Sequence, residues 1–296
     1  MRTSKNISRK EFIKNVSLLS SLAFVPGFKF PTSSKVVTNQ MKLGFVTYLW
    51  GKDWDVPTII KNLATAKIYG VELRVEHAHG VTTELSKHER ELIKKQFADS
   101  PVQVLGMGTN QKFDCPDQDK LKRSIEKTKE FIKLSHDIGG TGVKVKPNGF
   151  HKDVPHEKTL EQIGKSLNEV GKFAADYGQK IRLEVHGKGT QQLPNIKSIM
   201  DVATNSSVGV CWNSNDTDLD GKGLEYNFNL VKNRLGDTVH VRELNIGNYP
   251  YQKLMSMLVD MNYNGWVLLE CRTDPEDKVK ALIEQRKVFE NMISQS

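Results

Sequence analysis

The chain has 296 residues, 8% of them aromatic, a mean hydropathy of −0.48 and a formal charge of +8, a length suited to one large domain or two small ones. Seven basic residues and one acid fall within residues 1–41, whereas residues 42–296 carry 36 basic and 34 acidic side chains, and this nearly neutral body argues against a nucleic-acid partner. Cys115, Cys211 and Cys271 are too few for a disulfide framework or a cysteine zinc site.

Residues 1–41 read as an export signal and linker. Ser8-Arg9-Lys10-Glu11-Phe12-Ile13-Lys14 precedes a weakly apolar stretch over residues 16–25, which has the length of a signal's apolar region and is too short to span a bilayer. The segment resembles a twin-arginine signal with Arg-Lys in place of Arg-Arg. The expected location is periplasmic or otherwise exported, with no stable membrane span after signal removal. The other reading is a disordered tail.

From Lys42 onward, strand-like runs alternate with amphipathic stretches. The strands are expected over 42–47, 70–75, 102–106, 142–146, 180–185, 208–212, 238–244 and 265–271. Ser86 and Glu89 form a capping box that opens the second helix. Leu160, Ile163, Leu167, Val170 and Ala174 fall at helical spacing over 157–177. Gly70, Gly139, Gly178, Gly236 and Gly265 stand where helices end, positions for positive φ. Eight strand-plus-helix units over 42–296 predict an α/β fold, a single-domain (β/α)8 TIM barrel. A doubly wound sheet is disfavoured, because Val46-Thr47-Tyr48-Leu49-Trp50-Gly51 holds no glycine-rich phosphate loop.

Four strand endings in the second half carry ligand-type residues: Glu184, Asn213, His240 and Glu270. Their spacing is about one βα unit each time, so they should converge at the C-terminal mouth of the barrel. Side chains two apart on a strand share a face, which pairs Lys144 with Lys146, Glu184 with His186, His240 with Arg242, and Glu270 with Arg272. Two carboxylates, an imidazole and an amide oxygen suit one divalent ion such as Mn²⁺, Mg²⁺, Co²⁺ or Zn²⁺.

At these residues, in the ordered series Leu-Glu-Val, Val-Gly-Val-x-Trp-Asn, Val-His-Val and Leu-Leu-Glu, the chain resembles the sugar phosphate isomerase/epimerase family of xylose isomerase-like TIM barrels. The resemblance implies Glu184, Asn213, His240 and Glu270 as metal ligands, and Glu184 and Glu270 as the catalytic acid and base on opposite faces of a sugar. Asn213 stands where the family has Asp. Asp216 occupies a place where ketose epimerases often have His, and Ile246 one where they often have Arg. Asp216 could supply a loop carboxylate.

Substrate contacts are expected from His186, Lys146, Arg242, Arg272, Asp216, Trp50 and Trp212. His186 reads equally as a group supporting a metal ligand, Lys146 as a solvated lysine, and Trp212 as core. Tyr48 and Phe113 are further candidates for stacking on a sugar ring. Glu72 and Arg74 are expected to form a structural ion pair, and His77-Ala78-His79 is weighed as a second metal motif. The implied partner is a small carbohydrate or glycoside, with a homo-oligomer left open. Three functions remain: a metal-dependent isomerase or epimerase working by proton transfer next to a carbonyl, a lyase or deglycosidase cleaving 3-keto-glycosides by β-elimination, and a non-catalytic carbohydrate-binding barrel.

Overall fold

The computed structural model describes residues 41–296. The export-type segment, Met41 excepted, lies outside them. Eight barrel strands run in chain order: β1 (Lys42–Val46), β2 (Gly70–Arg74), β3 (Gln103–Lys112), β4 (Gly142–Lys146), β5 (Lys180–Glu184), β6 (Val208–Cys211), β7 (Thr238–Val241) and β8 (Trp266–Leu269). A helix follows each: α1 (Val56–Ala66), α2 (Lys87–Ala98), α3 (Gln118–Asp137), α4 (His156–Asp176), α5 (Leu193–Val202), α6 (Leu224–Val231), α7 (Tyr251–Asp260) and α8 (Lys278–Ser294).

The strands are parallel and hydrogen-bonded in the order β6-β5-β4-β3-β2-β1-β8-β7. The two remaining edges meet through single parallel bridges, Val210 to Leu235 and Asn213 to His240, with His240 N donating to Trp212 O at 2.7 Å. The expected (β/α)8 TIM barrel is therefore present, thinnest at the β6–β7 seam. A two-residue parallel pair, Asn148–Gly149 with Gly187–Lys188, extends the wall above β4 and β5. No helix among the described residues is long and apolar enough to cross a membrane.

Most of the core lies between strands and helices. Leu160, Ile163, Leu167, Val170 and Ala174 form the buried stripe of α4, and truncating Leu167 to alanine would cost about 2–5 kcal/mol. The capping box opens α2 as expected: Ser86 Oγ accepts from Glu89 N, and the Glu89 carboxylate accepts from Ser86 N. Of the five glycines at helix exits, Gly139 and Gly178 adopt positive φ. At two other exits Lys67 and Asn262 make the left-handed turn instead. Gly70 serves a different need, because a Cβ there would lie 2.5 Å from the Trp266 ring.

Strand β3 runs to Lys112, six residues past its expected end. Its Gly106, Gly108 and Asn110 look like turn residues in sequence. The strand continues because Gly108 faces the lumen beside a large side chain: a Cβ at Gly108 would sit 2.6 Å from Glu72 Oε1. The lower lumen holds a small apolar plug of Val46, Leu105 and Leu268. Close by, the buried Arg182 guanidinium donates to Asp237 at 2.8 and 2.9 Å and to Leu105 O at 2.6 Å. The packed plug and this ion pair close the barrel from below.

Candidate metal and catalytic centre

Above the plug, alternation along five strands turns Glu72, Lys144, Glu184, His240 and Glu270 into one buried cluster. Glu72 and His240 are 0% exposed, Lys144 1%, Glu184 2% and Glu270 8%. Lys144 Nζ donates to Glu184 Oε2 at 2.7 Å and to Thr109 O at 3.3 Å. Asn213 Nδ2 donates to Glu184 Oε1 at 3.2 Å. His240 Nδ1 lies 3.8 Å from Glu184 Oε1 and 4.0 Å from Glu270 Oε2, while its Nε2 lies 3.4 Å from Glu72 Oε1. Neither imidazole nitrogen makes a hydrogen bond, and neither does either Glu72 oxygen.

The field in this cluster is strongly divided. Burial disfavours the charged form of Glu184, but the Lys144 ammonium and the imidazoles of His240 and His186 outweigh it and hold the carboxyl well below the usual range. Glu270 moves the opposite way, pushed up by burial and by the Glu184 charge. Burial also opposes charge on Glu72, and His240, Lys144 and Arg182 overcome it. For His240, burial favours the neutral ring, yet Cys211, Glu72 and Glu184 draw positive charge onto it and hold its pKa well above the ordinary value.

These residues fit a divalent ion. One ligand atom each from Glu184, His240 and Glu270 lies within 4.8 Å of the others, all three residues being buried. Three carboxylates face a single ammonium in a place closed to water, and His240 Nδ1 points between two of them without a hydrogen bond. Such a set is the donor chemistry of a divalent-ion site: carboxylate oxygens and an imidazole nitrogen converge with no hydrogen bond to the ring, and buried polar atoms without partners are costly. Asn213 is in place beside them, but its amide nitrogen is what faces Glu184. The same amide can hold Glu184 through its nitrogen and offer an ion its oxygen.

The remaining expected residues divide between rim and core. Lys146 is half-buried, with its pKa lowered by burial and by the charges of Lys144 and Arg74. His186 lies above Glu184, with Nδ1 unpartnered and its pKa lowered by burial, the Lys146 and Lys144 charges adding to that. Arg242 is half-buried with Nε unpartnered, Arg272 is exposed, and Asp216 is exposed on a short 3₁₀ turn (Asp216–Leu219) after β6.

Trp212 faces away from the lumen. It is 0% exposed, packs edge-on to Phe228 and donates from Nε1 to Tyr249 Oη at 3.2 Å, so its ring has no face for a sugar. The alternation that turns Cys211 and Asn213 inward turns Trp212 outward. Trp50 is likewise enclosed in the core, with Nε1 bound to Thr273 O at 2.8 Å, and Phe113 is fully buried. Tyr48 alone among these aromatics packs on the lumen plug.

Two further expectations are corrected. Glu72 does not pair with Arg74: its carboxylate meets His240 across the lumen, while Arg74 donates to Asn110 Oδ1 at 2.8 Å. The His77-x-His79 motif is held by backbone. His79 binds Arg74 O and Val81 N through its two ring nitrogens, and His77 Nδ1 binds Thr47 O. The i, i+2 pattern places Lys144 with Lys146 on the lumen wall but does not show that Lys144 pairs with Glu184, and the same spacing of Glu72 and Arg74 signals that Glu72 faces the lumen.

Residues 60–292 match the family model described as "Xylose isomerase-like TIM barrel". Among curated proteins, the chain is 20% identical to an inosose dehydratase of Clostridium beijerinckii over 80% of this chain and 92% of that one. It is 22% identical to an inosose dehydratase of Bacillus anthracis, covering 80% and 91%. Among solved structures, 3-keto-D-glucoside 4-epimerase YcjR from E. coli superposes with a TM-score of 0.72 at 14% identity, covering 85% of this chain and 99% of that one. The IOLI protein with a bound zinc atom gives 0.72 at 16% identity, covering 86% and 99%.

Proposed function

The chain belongs to the xylose isomerase-like TIM barrel family, and on that premise we propose that it is a metal-dependent enzyme acting on a small carbohydrate by proton transfer at the carbon next to a carbonyl, with an isomerase or epimerase outcome. One observation carries this reading: Glu184, His240 and Glu270 converge within 4.8 Å at the barrel mouth, with the pKa values of the two carboxyls pushed in opposite directions. Environments that separate two carboxyls in this way assign different proton-transfer roles to them.

Glu184, His240 and Glu270 would hold the ion, with Asn213 beside them as the fourth expected ligand. A divalent ion there supplies Lewis acidity to a keto oxygen and its neighbouring hydroxyl. Its identity among Mn²⁺, Mg²⁺, Co²⁺ and Zn²⁺ is open within this proposal. Glu270 is the principal proton carrier, because Glu184 is engaged by the Lys144 ammonium and the Asn213 amide whereas Glu270 has no such contact among the described residues. In an epimerisation Glu184, ionised at rest between Lys144 and Asn213, would take the proton from one face of the carbon next to the carbonyl and become protonated while Glu270 gives a proton to the other face and becomes ionised. Lys146, His186, Arg242 and Arg272 surround the opening as substrate contacts.

A second reading shares the first step. If the carbon beyond the one that loses its proton bears a departing group, as in a 3-keto-glycoside, β-elimination follows. Two curated relatives carry the name dehydratase, which favours keeping it. Metal analysis should find about one divalent ion per chain, as the one cluster among the described residues requires. Aglycone release from a 3-keto-glycoside would select the lyase, and solvent exchange without release the isomerase. Protein that binds no divalent ion and is not activated by Mn²⁺ or Co²⁺ would rule out both.

A further inference from the structure

Strand β3 carries Asn110 between two cations from its neighbours, Arg74 at the end of β2 and Lys146 at the end of β4. Arg74 Nη2 and Lys146 Nζ both donate to the same Asn110 Oδ1, at 2.8 and 3.3 Å. Arg74 Nη1 also donates to Val75 O at 3.3 Å. Asn110 is held in this sense by Glu76, whose Oε2 accepts from its Nδ2 at 3.3 Å. Two like charges thus share one neutral oxygen, and among the described residues neither has an ion-pair partner.

Neither cation touches a carboxylate directly, and an oxyanion bound between them would supply that missing contact. Like charges placed together repel, and repulsion strengthens where water is partly excluded. Both side chains are only half exposed. Each has donors left over, since a guanidinium offers five N–H groups and an ammonium three. Asn110 and the Val75 carbonyl fix the fork, so little further ordering is needed to bind a planar or tetrahedral oxyanion. Lys146 also lies within the field of Lys144, Glu184 and Glu270, so the pair stands at the edge of the cluster described above.

We infer that Arg74, Asn110 and Lys146 form a subsite for an anionic substituent of the substrate, a carboxylate or a phosphate monoester, beside the carbon that loses its proton. The substrate class is then an acidic keto sugar rather than a neutral ketose. This rests on the proposed proton-transfer function for its location, though not for the binding itself.

Calorimetric titration of metal-loaded protein with D-fructose, 2-keto-D-gluconate and D-fructose 6-phosphate tests it. One of the two anions should bind at least about tenfold more tightly than D-fructose, the scale of one charge-assisted pair. The preferred anion identifies carboxylate or phosphate. In Arg74→Met and in Lys146→Met, the affinity ratio should fall toward unity. Equal affinities in the wild type, or a preference that persists in both variants, would overturn the subsite, and equal wild-type affinities would do so even if a variant misfolds. Deuterium exchange into the same sugars keeps the two proposals apart: anion preference without exchange leaves the subsite standing and removes the proton-transfer function, whereas exchange without preference does the reverse.

Discussion

His240 Nε2 lies 3.4 Å from Glu72 Oε1, with both side chains fully buried and brought together across the barrel lumen from β7 and β2. The contact turns the other ring nitrogen, Nδ1, toward Glu184 and Glu270. A carboxylate behind a ligand imidazole fixes ring orientation and raises basicity. Glu72→Gln is therefore expected to weaken divalent-ion binding about 10–100-fold. Titration with Mn²⁺ or Co²⁺ followed by calorimetry checks this, and unchanged affinity would assign Glu72 to packing alone.

Asn213→Asp should act in the opposite direction. The substitution replaces a donor to Glu184 with a third carboxylate around the same point. Metal-free protein should lose stability through like-charge repulsion, and affinity for the ion should rise, on the order of tenfold. Thermal unfolding with and without the ion measures both, and the gap between the two melting temperatures should widen relative to wild type.

Lys144→Met removes the one ammonium that balances the buried carboxylates. Breaking a buried pair on one side typically costs about 3–5 kcal/mol. Metal-free protein should be destabilised by that amount in urea unfolding, and saturating divalent ion should recover part of it. No recovery would mean that the ion and Lys144 act on separate charges.

How much of this was legible in sequence depended on the range of each interaction. The eight strands, the capping box at Ser86 and the inward set Glu184, Asn213, His240 and Glu270 follow from local period and alternation. Trp212 could have been placed by the same alternation, since it stands between Cys211 and Asn213. Glu72 could not have been matched to His240, because that contact exists only once the barrel closes. The length of β3 was hidden for a related reason: Gly108 suits a turn until the bulk of Glu72 beside it is known. Trp50 and Phe113 lie in loops, where no alternation rule says which way a side chain faces.

Acidity gives a prediction away from the cluster. Asp218 Oδ2 accepts from Tyr249 Oη at 2.7 Å and from Asn215 N at 3.0 Å, while its Oδ1 is buried without a partner. Burial pushes its pKa up to about 7. A carboxyl raised in the folded state adds stability that is complete below its unfolded pKa, near 3.8, and is lost as pH rises through about 7. Asp218→Asn should flatten stability across that window and make the protein more stable than wild type at about pH 8, read from urea midpoints.

The central claim is proton transfer by Glu270 next to a carbonyl in a metal-loaded barrel. Proton NMR of keto sugars and 3-keto-glycosides incubated in D₂O with metal-loaded protein tests it most directly. Deuterium should enter at the carbon beside the carbonyl, stop on chelation, and fall at least about 100-fold in Glu270→Gln, the scale of a lost general acid–base group. Exchange that continues unchanged in Glu270→Gln, or its absence with every such sugar, would contradict the claim.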